Sequence, residues 1–158
     1  MSAQISAIAH ATPQTIATAT LRIETGGMGF VDITRDAQRF IEKAGAADGV
    51  LLVYLRHTSA SLTIQENADP RVQTDLIAAL DRLAPEGAAW VHDSEGADDM
   101  PAHVKAMLNG VSLHVPVTAG ALALGTWQGI YLVEHRRAPH PRDVMLQFVG
   151  STRAAVTP

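Results

Sequence analysis

Residues 50–69 read VLLVYLRHTSASLTIQENAD, and the change of character at Arg56 decides how the chain is organised. The first six positions are apolar on both faces of a pleated strand, the pattern of a central strand covered from both sides. That strand delivers Arg56 and His57 at its end, and SLTIQE reads as a neighbouring strand. Asp69 then precedes Pro70, an N-cap followed by proline at the first helical position. Val72, Leu76, Ala79, Leu80 and Leu83 give the helix one apolar stripe, and Pro85 and Gly87 end it.

On the N-terminal side, IATATLRIET at 16–25 alternates apolar residues with Thr and Arg, and GFVDIT at 29–34 follows the turn-forming Gly26 and Gly27. These two segments read as a hairpin. RDAQRFIEKA at 35–44 carries Ala37, Phe40, Ile41 and Ala44 at helical spacing, with Gly45 as its stop. On the C-terminal side, Pro101 opens a helix whose inner face is Val104, Met107 and Leu108, stopped at Asn109 and Gly110. Three strands finish the chain: SLHVPV at 112–117, a glycine-broken segment from Leu122 to Glu134, and DVMLQFVG at 143–150. Strands outnumber helices about two to one on this reading. One domain over 1–150 is expected, with STRAAVTP at 151–158 as a loose tail.

The 158 residues suffice for one core, and zero cysteines exclude disulfides, thiolate catalysis and any cysteine-based zinc site. A net charge of −4 argues against nucleic acid as a partner, because phosphate binding needs a basic face. No run of about 18 apolar residues and no signal-type N-terminus is evident, so a soluble, cytoplasmic protein without a membrane partner is expected. Arg136, Arg137 and Arg142 are a local cationic group able to grip one anionic small molecule.

Only 18% of residues are charged, yet HTSASLTIQENAD at 57–69 and WVHDSEGADDMPAH at 90–103 gather imidazoles, carboxylates and hydroxyls. His57 reads as a buried histidine or as a base or metal ligand. His57 and Ser59, two apart on a strand, stand roughly 6 to 7 Å apart, too far for a serine nucleophile and its base. Asp69 reads as a helix cap, whereas Glu66 and Asn67 have no structural role that the sequence requires. The second block holds His92, Asp93, Glu95, Asp98, Asp99 and His103, whose carboxylates, if all ionised, would repel one another without a cation or a helix N-terminus. Asp98 or Asp99 suits a cap, and the rest invite a divalent ion. Gly125, Trp127, Gln128 and Gly129 form a third cluster, either a bulge with a core tryptophan or a ring that stacks on a heteroaromatic substrate while Gln128 reads its edge. His10, His114 and His140 read as surface histidines.

HTSASLTIQENADP, HDSEGADDMPAHVKAMLNGVSLHVPV and GTWQGIYLVEHR together resemble, in order, three signature stretches of the YjbQ-like family, known as the secondary thiamine-phosphate synthase family. The likeness runs from about residue 15 to 150. It implies an α+β fold, a two-sheet, mainly antiparallel β-sandwich with flanking helices, assembled as a homotrimer. It also implies a weak thiamine-phosphate synthase activity, joining a pyrimidine methyl diphosphate to a thiazole phosphate with release of diphosphate. The carry-over falls on His57, Glu66, Asn67 and Asp69, then on His92, Glu95, Asp98, Asp99 and His103, and last on Trp127, Gln128 and Glu134. Ala68 is a departure, since several relatives carry cysteine there; the synthase step needs no protein thiol, because the thiazole nitrogen attacks.

On that reading a divalent ion, Mg or Zn, meets the diphosphate of a small-molecule phosphate substrate. Glu66, Asp98 and Asp99 suit the ion, Trp127 the ring, and Lys105 or Arg137 the phosphate. The alternatives are a metal-dependent hydrolase in which His57, His92 and His103 bind the metal, and a non-catalytic trimeric small-molecule binding protein.

Overall fold

The computed structural model describes residues 7–153. Eight strands and three helices follow in the order β1 (Thr15–Glu24), β2 (Gly29–Asp32), α1 (Thr34–Lys43), β3 (Ala46–Leu55), β4 (Ala60–Glu66), α2 (Pro70–Leu83), α3 (Asp99–Asn109), β5 (Ser112–Thr118), β6 (Ala121–Leu122), β7 (Gln128–Glu134) and β8 (Pro141–Thr152). They form two antiparallel sheets, one ordered β1-β8-β3-β5-β6 and the other β2-β7-β4. The α+β class and the two-sheet arrangement are those expected. The core joins Leu51, Val53 and Leu55 of β3 and Phe148 of β8 to Leu62 and Leu132 of the smaller sheet. Ala37 and Ile41, one helical turn apart on α1, pack into the same core.

The pairing departs from expectation twice. Segments β1 and β2 do not form a hairpin: β1 pairs with β8 and β2 with β7, in different sheets. Between them Thr25 is buried, its hydroxyl donating to Glu134 Oε2 at 2.9 Å, so the glycines let the chain cross from one sheet to the other. Similarly, β4 does not neighbour β3 but pairs with β7 in the smaller sheet. Strand β3 is also covered on one face and not both: Leu51, Val53 and Leu55 are buried, while Tyr54 is 42% exposed.

Helix starts and stops follow local chemistry. Asp69 Oδ1 accepts from the Arg71 amide at 2.9 Å and Pro70 occupies the first turn of α2, as the N-cap reading requires. Gly45 ends α1 with φ +62°, a conformation that a side chain resists. Leu83, expected in the α2 stripe, is 67% exposed. Helix α3 begins at Asp99, two residues before Pro101, and its buried face is Pro101, Ala102, Lys105 and Ala106. Met107 and Leu108, expected inside, are 77% and 53% exposed. Strand β8 runs on to Thr152, and the Arg153 amide donates to Gly45 O at 2.8 Å, so the loose tail does not begin at 151. Residues 154–158 of that tail lie outside the described residues.

Candidate metal centre

The segment from 85 to 98 joins α2 to α3 and buries none of its side chains fully. At its end Asp99 turns inward and becomes 2% exposed. Asp99 Oδ2 accepts from His92 Nε2 at 2.8 Å and lies 3.3 Å from His103 Nε2. The two histidines are on different elements, His92 on the exposed segment and His103 one helical turn along α3 from Asp99, where residues four apart share a face. Their ring centroids are 5.6 Å apart. His103 Nδ1 donates to the Thr58 carbonyl at 2.9 Å, which fixes the ring so that its Nε2 faces Asp99. One ligand atom from each of His92, Asp99 and His103 therefore lies within 4.8 Å of the others, close enough to share an ion.

The other carboxylate oxygen is occupied. Asp99 Oδ1 accepts from Arg136 Nη1, while Arg136 Nε donates to Asp98 Oδ2 at 3.2 Å and Nη2 to Glu95 O at 2.8 Å. Asp98, at the N-cap position, makes no side-chain cap bond; its Oδ2 accepts from the Arg137 amide at 2.8 Å instead. Burial alone would raise the Asp98 carboxyl, but the bonds from Arg137 and Arg136 outweigh it and hold the group below its usual range. Beside the centre a cleft of about 280 Å³ is lined by Glu86, Trp90, His92, Asp93, Gly96 and Ala97.

The histidines, the carboxylate and the two-sheet frame sit in a chain of known kinship. The family model described as UPF0047 protein YjbQ-like matches residues 19–151. The chain belongs to the YjbQ-like UPF0047 family. It is 46% identical over 131 residues to a UPF0047 protein of Synechocystis, covering 82% of this chain and 89% of that one. It is 39% identical over 134 residues to UPF0047 protein YugU of Bacillus subtilis, covering 83% and 98%. The crystal structure of a hypothetical protein from Aeropyrum pernix superposes with TM-score 0.79 at 31% identity, covering 85% of this chain and 99% of that one. A YbjQ-like protein of unknown function from Sulfolobus solfataricus shares the fold, with TM-score 0.78 at 24% identity over 87% and 100% of the two chains.

Within this YjbQ-like chain the remaining expected site residues fall elsewhere. His57 does not join the other two histidines. Its Nε2 accepts from the Asp143 amide at 2.8 Å, and burial, reinforced by Arg142, lowers its pKa, which suits a neutral acceptor. Asp99 takes the third place that the sequence reading gave to His57. Glu66 does have a structural role, because its Oε1 accepts from the Asp69 amide at 3.2 Å at the entry to α2. Asn67 Nδ2 donates to Gln128 O at 3.3 Å and to Thr126 O at 3.5 Å, and Gln128 Oε1 accepts from the Gly125 amide at 2.8 Å. These bonds fix a loop that displays Trp127, 66% exposed and so not a core residue.

The cations are likewise spoken for. Lys105 is buried and pairs with Asp81 at 2.5 Å, Arg137 pairs with Glu86 at 2.7 Å, and Arg142 makes a two-point bond to the fully buried Glu134 at 2.6 and 2.7 Å. Arg136, Arg137 and Arg142 thus do not form a free anion grip. His135, absent from the sequence reading, is buried against Ser61: Asn109 Nδ2 donates to Ser61 Oγ at 3.1 Å, leaving the hydroxyl hydrogen for His135 Nε2 at 2.8 Å. Burial, with Lys105 next, lowers the His135 pKa to about 4. The sequence offered one signal, a histidine between Glu134 and Arg136 at the end of an apolar strand.

Proposed function

We propose that this chain is a metal-dependent hydrolase of a small molecule, with its divalent ion held by His92, Asp99 and His103. The observation that carries this reading is the buried Asp99 oxygen facing two imidazole nitrogens, one of them fixed in orientation by the Thr58 carbonyl. A free ion pair would need neither the second histidine nor that backbone bond. Two imidazoles and one carboxylate leave an ion with positions for water and substrate. A bound ion supplies a water of lowered pKa and polarises the substrate oxygen. Glu95, exposed on the segment that carries His92, would accept a proton from water bound to such an ion. The cleft bearing Trp90 and Asp93 holds the substrate beside His92.

The outer face of the larger sheet supports a homotrimer. Val50 and Val149 pair across β3 and β8, Tyr54 pairs with Met145, and Ile16 pairs with Val149, all pointing away from the core. Ile16 is 68% exposed, so this apolar strip needs a cover, and light scattering should report about three times the 16.8 kDa chain mass.

The thiamine-phosphate synthase reading keeps one observation on its side, the fixed display of Trp127 for stacking on a pyrimidine ring. Strand β7 separates Trp127 from the metal centre by its seven residues, roughly 20 Å at strand rise, so ring and ion could share one substrate only across a subunit boundary. The deciding experiment loads the metal-stripped protein with single divalent ions and assays ester and phosphoester panels, then the two thiamine precursors. Metal-restored hydrolysis that His103→Ala abolishes supports the hydrolase; thiamine-phosphate formation without hydrolysis overturns it in favour of the synthase.

A further inference from the structure

Asp99 is held between two demands that together select an ion. Its Oδ2 faces His92 and His103, and its Oδ1 is bonded to Arg136. A guanidinium keeps its charge at any working pH and has no acceptor, so it stays committed to the carboxylates it meets. Arg136 cannot readily turn away: its other nitrogens are bonded to Asp98 and Glu95, and its side chain is 14% exposed. The backbone beneath it is fixed too, because the Arg136 amide donates to Glu134 Oε1 at 3.0 Å, and Glu134 is locked to Arg142.

An ion at this centre therefore receives one carboxylate oxygen and two imidazole nitrogens. Calcium takes six to eight oxygens, often with a carboxylate gripping through both of its own, and magnesium requires near-ideal octahedral oxygen. Neither is well served by two imidazoles, whereas zinc, cobalt and nickel are. Charge points the same way. Arg136 offsets one of the two negative charges of Asp98 and Asp99, so an ion that relies on summed carboxylate charge finds little of it here.

Resting on the metal centre of the preceding section, we propose that Arg136 is a specificity-determining residue: by holding Asp99 to a single free oxygen, it makes the centre select zinc-type ions over magnesium and calcium. Arg136 is a positioning residue in this role, since it acts through Asp99.

The test uses the full chain, stripped of metal and titrated separately with zinc, cobalt, magnesium and calcium, with calorimetry and the visible spectrum of the cobalt form as readouts. The wild type should bind zinc and cobalt at least about a hundredfold more tightly than magnesium or calcium, with the intense visible bands of low-coordinate cobalt. Arg136→Gln should weaken zinc about tenfold or more, the scale seen when a partner that orients a ligand is removed. It should also strengthen calcium binding and bleach the cobalt bands as Asp99 offers both oxygens. Asp98→Asn weakens the bond that steadies the Arg136 fork and should shift ion preference in the same direction as Arg136→Gln, by a smaller factor. Where Arg136→Gln does not fold, Arg136→Lys, which keeps the charge without the fork, should broaden selectivity in part. An unchanged zinc-to-magnesium ratio and cobalt spectrum in the folded Arg136 variant would overturn the inference while leaving the metal centre standing. Failure of the wild type to bind any of the four ions would overturn the centre itself.

Discussion

The two ends of the β4–β7 pair make an instructive contrast. At one end, beyond Glu134, polar side chains are buried and turned toward one another, with Asp99 presenting an oxygen to two histidines. At the other end, around Glu66 and Gln128, an equally polar stretch closes its own loops: Glu66 on the Asp69 amide, Asn67 on two carbonyls, Gln128 on the Gly125 amide. Both ends look like sites when read along the chain. The difference is what each polar atom bonds. Side chains satisfied by nearby backbone hold the fold, whereas side chains that converge from separate elements on one buried oxygen can hold a ligand.

Mutations at the two ends should separate them most sharply through stability. Arg142→Ala leaves the fully buried Glu134 without its counter-ion and should cost about 3 to 5 kcal/mol in urea denaturation at neutral pH. A loss below about 1 kcal/mol would show that this end is far wetter than its burial indicates.

Acid should act on the same end. The His135 pKa is lowered from 6.5 in the unfolded chain to about 4 in the fold, so the unfolded state takes up the proton first. Its contribution is fully present above pH 6.5 and is lost as pH falls through the window down to about 4, a total of about 3 kcal/mol. His57, lowered by burial, adds in the same direction. Denaturation curves at pH 7 and 5 should differ, and His135→Gln should flatten the slope between them; an identical slope in that variant would assign the acid sensitivity elsewhere.

Asp99→Asn keeps the volume of the side chain and removes the charged donor. Zinc affinity should fall by roughly a hundredfold, about 2.7 kcal/mol, measured by calorimetry on the metal-stripped chain. Retained affinity would mean that the ion sits elsewhere. Glu66→Gln should have the smallest effect: the amide oxygen still accepts from Asp69, so stability changes by about 1 kcal/mol or less and zinc affinity is unaltered. If thiamine-phosphate formation is detected in the wild type and vanishes in this variant, the distal end is part of the chemistry and the synthase reading gains.

How much of this was legible in the sequence depended on whether the signal was local. The start of α2 at Asp69 and Pro70, the stop of α1 at Gly45 and the existence of every strand but β6 follow from neighbours in sequence, whereas the segment read as one strand from Leu122 to Glu134 is divided into β6 and β7 in different sheets. Strand pairing was not legible: nothing in IETGGMGF says that the chain leaves one sheet for the other, because the partners of β1 and β2, β8 and β7, lie more than 90 residues further along the chain, as does Glu134, which Thr25 meets 109 residues away. The face of α3 was misjudged for a related reason. Asp99 and Lys105 look like surface residues until Arg136 and Asp81 are placed beside them. His92 and His103 stood out by composition, but no pattern revealed that His57 would spend its nitrogen on the Asp143 amide of β8.

The exposed segment between α2 and α3 carries His92 but buries no side chain fully from 85 to 97, and Val91 stands entirely in solvent. Such a stretch is where a protease finds an extended substrate first. Asp99 and His103 belong to a helix packed against the body, so an ion shared with His92 would tether the segment to that helix at its middle. Cleavage by a broad-specificity protease would then report occupancy of the centre without any substrate being known, slowing as the ion binds and returning when a chelator removes it.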